Sequence, residues 1–180
     1  MIINVCLVVV IIVISAILII YNNLVKSKNN VKRAESGIDV VLKQRFDVIP
    51  NLVECVKGYS THESETLEEV VAQRTAYNNN KEIDIKEAEN LNRNINRIMA
   101  IAESYPDLKA SEQYLNLQAT LSKIEEKLQF ARTIYNNEVT KYNNLIEIVP
   151  SSLVAKIFAF EKADLFSIDE DEKENVDLAM

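Results

Sequence analysis

The sequence predicts an all-α protein, with an N-terminal transmembrane helix followed by an antiparallel four-helix bundle built from long helices. Three observations carry this reading. The 180 residues include only 2 Gly and 3 Pro, too few turn-formers for a strand-rich fold, and Leu, Ile, Glu, Lys and Asn dominate. Residues 1–25 carry no charged side chain. Between Tyr114 and Val149, apolar residues recur at alternating steps of three and four, the signature of one buried helical face.

The first element is the apolar stretch from Ile2 to Ile20, in which fifteen of the residues are Ile, Leu or Val. At about 1.5 Å per residue it reaches about 28 Å, close to a hydrocarbon core of about 30 Å. A cleaved signal peptide would show a basic start, a shorter apolar run and a small-residue cleavage site. Tyr21-Asn22-Asn23 offers no such site, so an uncleaved anchor over 1–24 is expected. Lys26, Lys28, Lys32 and Arg33 follow the span closely. The excess of cations on that side predicts an N-terminus outside and a cytoplasmic body at the cell membrane.

The body, expected over 25–166, reads as four amphipathic segments. The first places Val31, Ala34, Ile38, Leu42, Phe46, Ile49, Val53 and Val56 on one face. Pro50 removes one helical donor and crowds the preceding turn, yet the apolar phase passes straight through it. A kinked helix that keeps its direction is therefore expected. The second segment starts near Thr61 and buries Leu67, Val70, Val71 and Tyr77; the third carries Ala88, Leu91, Ile95, Ile98, Ala102 and Tyr105 up to Pro106. The fourth runs from Tyr114 to Val149, with Glu138 the one misfit and Val139 its apolar neighbour, and Pro150 ends it. Its seam suits a coiled coil between chains or a bundle core, and the three other segments, with the seam's Tyr and Ala, favour the bundle. Ser151 and Ser152 are expected to cap a short helix. The acidic tail, 167–180, is expected to be disordered.

The net charge of −7 is uneven: +3 over residues 26–60 and −10 over 61–180. With no basic face for phosphates, nucleic-acid binding is not expected. Cys55 and His62 sit seven residues apart, about 10.5 Å along a continuous helix, too far for a nucleophile–base pair. A single His without a partner four residues on lacks the zinc-protease signature, and no cofactor is implied. Tyr-Asn-Asn occurs at 21–23, 77–79, 135–137 and 142–144, and the last two lie one heptad apart on one helical face.

The stretches "NNLVKSKNNVKRAESGIDVVLKQRFDVIPNLVECVKGYSTHE", "ESYPDLKASEQYLNLQATL" and "FARTIYNNEVTKYNNLIEIVPSSLVAKIFAF", behind the leading anchor, closely resemble the LemA family of bacterial membrane proteins. The resemblance implies a single transmembrane helix carrying a helical bundle, with no enzymatic activity. It also hints at partnership, since a relative acts in magnetosome membranes and members often accompany a membrane zinc peptidase. The family's signature falls on Asp39, Arg45, Asp47, Pro50, Asn51, Lys57, Gly58, Tyr59, His62, Glu63, Arg132, Tyr135, Asn136, Tyr142 and Asn143, candidates for partner binding or for holding the bundle together. The chain departs from the family at Glu35, where an aromatic is usual, at Val149 for phenylalanine, and at Ala159 for glycine.

The expected function is a scaffold or adaptor that recruits a protein partner at the bilayer, of unspecified oligomeric state. The alternatives are a membrane-shaping or oligomeric protein that uses its helical faces and "SSLVAKIFAF" at the lipid surface, and a binder of a metal or small molecule.

Overall fold

A computed structural model describes residues 2–59 and 85–166, with side chains from Arg93 onward in the second stretch. Within these the chain is all-α. Helix α1 is Ile2–Lys57, α2 is Ile85–Glu103, α3 is Pro106–Lys109, α4 is Glu112–Glu147 and α5 is Ser151–Ile157. The segment expected to form a helix from Thr61, with His62 and Glu63, lies outside the described residues, as does the acidic tail.

The apolar stretch and the first amphipathic segment are one uninterrupted helix of 56 residues. No glycine before Gly37 and no proline before Pro50 interrupts it, the two residue types most costly inside a helix. Ile2, Val5, Val9, Ile12 and Leu18 are all more than half exposed. No residue of the most apolar part of α1 is buried within the protein, although it is long and apolar enough to cross a membrane. Pro50 lies inside α1, and the helix continues past it with Ile49, Leu52, Val53 and Val56 buried. The apolar phase on both sides holds the helical course despite the missing donor.

The chain forms two compact units, Met1–Ser36 with Ala131–Met180, and Gly37–Phe130. In the first, Leu24 of α1 packs with Val154 and Ala155 of α5, and with Ile17, Ile20, Tyr21, Leu145 and Ile146 around them. A second cluster joins Val31 to Val139 and Tyr142. Rising numbers on α1 meet falling numbers on α4, so the two run antiparallel. Val139, rather than Glu138, takes the seam position and is fully buried.

The second unit buries Leu42, Phe46, Ile49 and Val56 from α1, Ile95 and Ile98 from α2, Leu108 from α3, and Tyr114, Leu121, Ile124 and Leu128 from α4. Helix α2 ends at Glu103, three residues before Pro106, which opens α3 as its first residue, a position where its missing N–H costs nothing.

The expected serine cap of α5 is not formed. Pro150 holds the N-cap position without a side-chain cap bond, Ser151 Oγ donates back to the Ile148 carbonyl at 2.8 Å, and Ser152 is buried. At the other end, Phe160 N–H donates to the Ala155 carbonyl (2.9 Å) and Ala159 N–H to that of Lys156 (3.3 Å). Ala159 has φ 52°. This is the Schellman arrangement, which normally places glycine at the left-handed residue, the residue that the resemblance implies at this position.

Candidate functional site

After α5 the chain returns along α4 as a non-helical strap, Phe160–Phe166, and the signature residues of α4 hold it. Asn143 Nδ2 donates to the Ala163 carbonyl at 2.8 Å, and Ala163 N–H donates to Asn143 Oδ1 at 3.0 Å. One heptad earlier, Asn136 repeats the pattern on Phe166, donating to its carbonyl at 3.0 Å and accepting from its N–H at 2.8 Å. Each carboxamide thus occupies both backbone groups of one strap residue, as a neighbouring β-strand would. The tyrosines add a second rail: Tyr142 OH donates to the Glu161 carbonyl at 2.9 Å, and Tyr135 OH to that of Asp164 at 3.0 Å.

The spacing follows from two repeats that agree. Seven helical residues rise about 10.5 Å, and three residues of chain span that length only when nearly fully extended, at about 3.3–3.6 Å each. The strap therefore runs straight, three residues for every heptad. Burial raises the Tyr135 hydroxyl pKa first, with the charges of Glu35 and Asp164 adding to it. Tyr142 is raised likewise, by burial and then by Glu161. Both phenols stay protonated and keep donating. Arg132 closes the ladder, its guanidinium 4.6 Å from the centre of the Phe166 ring.

In the Gly37–Phe130 unit, Arg45 is buried and pairs with Glu125 at 2.8 Å. Tyr114 OH reaches Met99 Sδ at 3.3 Å, and burial, then Glu103 and Cys55, raises its pKa. Pro50 is half-buried inside α1, while Asp39, Asp47, Asn51 and Lys57 are exposed along it. Gly58 and Tyr59 follow the helix end, with Tyr59 N–H donating to the Val56 carbonyl at 3.0 Å. A Cβ on Gly58 would meet only ordinary contacts, so sterics do not require glycine there. Cys55 is buried.

The structure therefore gathers Arg132, Tyr135, Asn136, Tyr142 and Asn143 around one backbone segment. It holds Arg45 and Pro50 in a separate helical core. Sequence reasoning found the Tyr-Asn heptad but missed its partner, the strap, whose residues show no period of their own. Among the described residues no three or more His, Cys, Asp or Glu converge as metal ligands would.

A long helix with an exposed apolar end, packed antiparallel to a second helix whose Tyr-Asn ladder fastens a strap, defines a helical-bundle protein with one candidate membrane span. The LemA family profile matches residues 34–179, and the chain belongs to the LemA family. It is 28% identical over 160 residues to Protein LemA of Metamycoplasma hominis, covering 87% of this chain and 73% of that one. It is also similar to Magnetosome protein MamQ 2 of Paramagnetospirillum magneticum, 29% identical over 72 residues, and to Magnetosome protein MamQ of Magnetospirillum gryphiswaldense, 28% identical over 72 residues. Those matches cover 40% of this chain and 26% of each magnetosome protein.

Proposed function

We propose that this protein is a single-pass, membrane-anchored helical bundle that serves as a non-catalytic scaffold for a protein partner. The observation that carries the reading is the continuity of α1 from the apolar stretch into the bundle. Ile17 and Ile20, in the last turns of that stretch, pack into the cluster around Leu24. Cleavage behind the stretch would strip those side chains from the core, which favours an anchor that is kept. Lys26, Lys28, Lys32 and Arg33 immediately follow it, and the positive-inside rule then puts the bundle in the cytoplasm. The adaptor role is supported by exposed signature residues, Asp39, Asp47, Asn51 and Lys57, arrayed along a helix whose opposite side is the core. Crosslinking in intact cells followed by mass spectrometry should recover one specific partner, lost when Asp47 and Asn51 are both replaced by Ala. Recovery of no specific partner would end the adaptor reading, and digestion of the bundle by protease added outside whole cells would end the orientation.

A further inference from the structure

The turn between α4 and α5, together with the outer face of α5, leaves large apolar side chains uncovered. Ile148 is 58% exposed, Val149 71%, Leu153 59%, Ile157 71% and Phe158 49%. These residues are not scattered. Leu153 and Ile157 stand at i and i+4 on one side of α5, while Val154 and Ala155 on its other side are buried against α1.

Their height relative to the candidate span can be read from the packing. Antiparallel helices rise equally per residue. Val31 packs with Val139 and Tyr142, and Leu24 shares a cluster with Leu145 and Ile146. The same register brings Ile148, Val149 and Pro150 to about the level of Tyr21, the first residue beyond the apolar stretch. Helix α5 then lies beside α1 where Ile17, Ile20 and Leu24 pack against its buried face. The Phe158 ring packs against Tyr21 in a tilted arrangement, centroids 4.7 Å apart. The uncovered side chains therefore sit at the depth where a membrane crossed by α1 would end. Lys156 is exposed on the same short helix, and Lys26 and Lys28 are exposed on α1 just beyond. Cations beside an apolar face at that depth suit acyl chains below and anionic headgroups above.

We infer that the α4–α5 turn and the outer face of α5 form a second, monotopic membrane contact. Leu153, Ile157 and Phe158 enter the interface of the leaflet from which α1 emerges, and Lys156 meets lipid phosphates. The occupant is lipid because this apolar surface meets α1 at the Phe158–Tyr21 contact, next to the exposed apolar residues of Ile2–Ile19 that the anchoring reading puts in the bilayer. The inference rests on the anchoring reading above.

The chain contains no Trp, so single substitutions give unique reporters in the full-length protein. Ile157→Trp, Leu165→Trp and Ile14→Trp would each be reconstituted in two sets of phosphatidylcholine–phosphatidylglycerol vesicles. One set contains phosphatidylcholine brominated near the glycerol end of its acyl chains, to read positions 157 and 165, and the other has it brominated deep in the chains, to read position 14. Ile157→Trp is expected to emit at shorter wavelength and to lose most of its emission to the brominated lipid. Leu165→Trp, on the strap, is expected to keep its emission. Equal, weak quenching at 157 and 165, with Ile14→Trp strongly quenched, would overturn the lipid contact while leaving the anchor intact. A blue shift at 157 without quenching would also overturn it and assign the face to protein instead. Absence of quenching at Ile14→Trp in deeply brominated lipid would remove the anchor, and the second contact with it.

Discussion

The two units solve the same packing problem with different polar chemistry. In the unit of Met1–Ser36 and Ala131–Met180, the groups that hydrogen-bond the strap are neutral, carboxamides and phenols bonded to backbone N–H and C=O groups, and the ion pairs Lys141–Glu138 and Lys162–Glu147 lie at the surface. In the unit of Gly37–Phe130, a guanidinium is buried and paired with a half-exposed carboxylate. Neutral groups aimed at backbone fix the register of one segment on another at little desolvation cost. A buried ion pair is costly to desolvate and becomes strongly destabilising once one partner is lost. Polar signature residues are thus fasteners of backbone in one unit and half of a desolvated ion pair in the other.

The largest expected break is Arg45→Ala. It strips Glu125 of its partner and should cost about 3 kcal/mol, near the low end for such pairs because Glu125 is partly solvated. Chemical denaturation in detergent, followed by circular dichroism, measures it. Replacing both partners together, Arg45→Met with Glu125→Leu, should return stability close to that of the parent.

Asn143→Ala comes next. It removes two hydrogen bonds and leaves both backbone groups of Ala163 to find water, for a loss of about 2 kcal/mol. Amide exchange at Ala163 should rise, while exchange at Val53 in the other unit should not change. Added salt should leave the size of this loss unaltered, since no charge takes part in it.

Tyr142→Phe should cost about 1 kcal/mol, the worth of one hydrogen bond, and it should also change the alkaline limb of stability. The folded-state pKa of Tyr142 lies above its usual 10.0 through burial and Glu161. Its contribution is therefore complete below that ordinary value and is lost as pH rises through the folded value. Stability should fall steeply above about pH 10, and less steeply in Tyr142→Phe. The smallest effect is a gain. Ala159→Gly relieves a left-handed alanine and should add about 0.5–1 kcal/mol, after the greater freedom of glycine in the unfolded chain is set against it.

How much of this was legible in the sequence depended on the range of the interaction. The face of α1 and the seam of α4 repeat every few residues, so periodicity exposed them, and the apolar phase rightly carried the helix through Pro50. The Tyr-Asn heptad at 135–136 and 142–143 was visible as a spacing. Its purpose was not, because its partners lie 19 to 30 residues further on, in a segment without a pattern. Serines before an apolar run suggested a cap for α5. They failed because the tight turn at Pro150 already holds that position, and the serine hydroxyl found a nearer carbonyl. From sequence alone Arg45 read as a solvated charge or as half of a pair between helices, and its partner could not be named, since Glu125 lies 80 residues away and only the folded chain brings them together.

The agreement between seven helical residues and three extended ones makes the strap a vernier. Sliding it by one or two residues would misalign both asparagines and both tyrosines at once, and only a full step of three would restore any match. One residue deleted between Ala163 and Phe166 should therefore unfasten an entire rung, whatever the identity of the residue removed. The strap has discrete settings rather than a continuum, so its position can be counted in notches along α4.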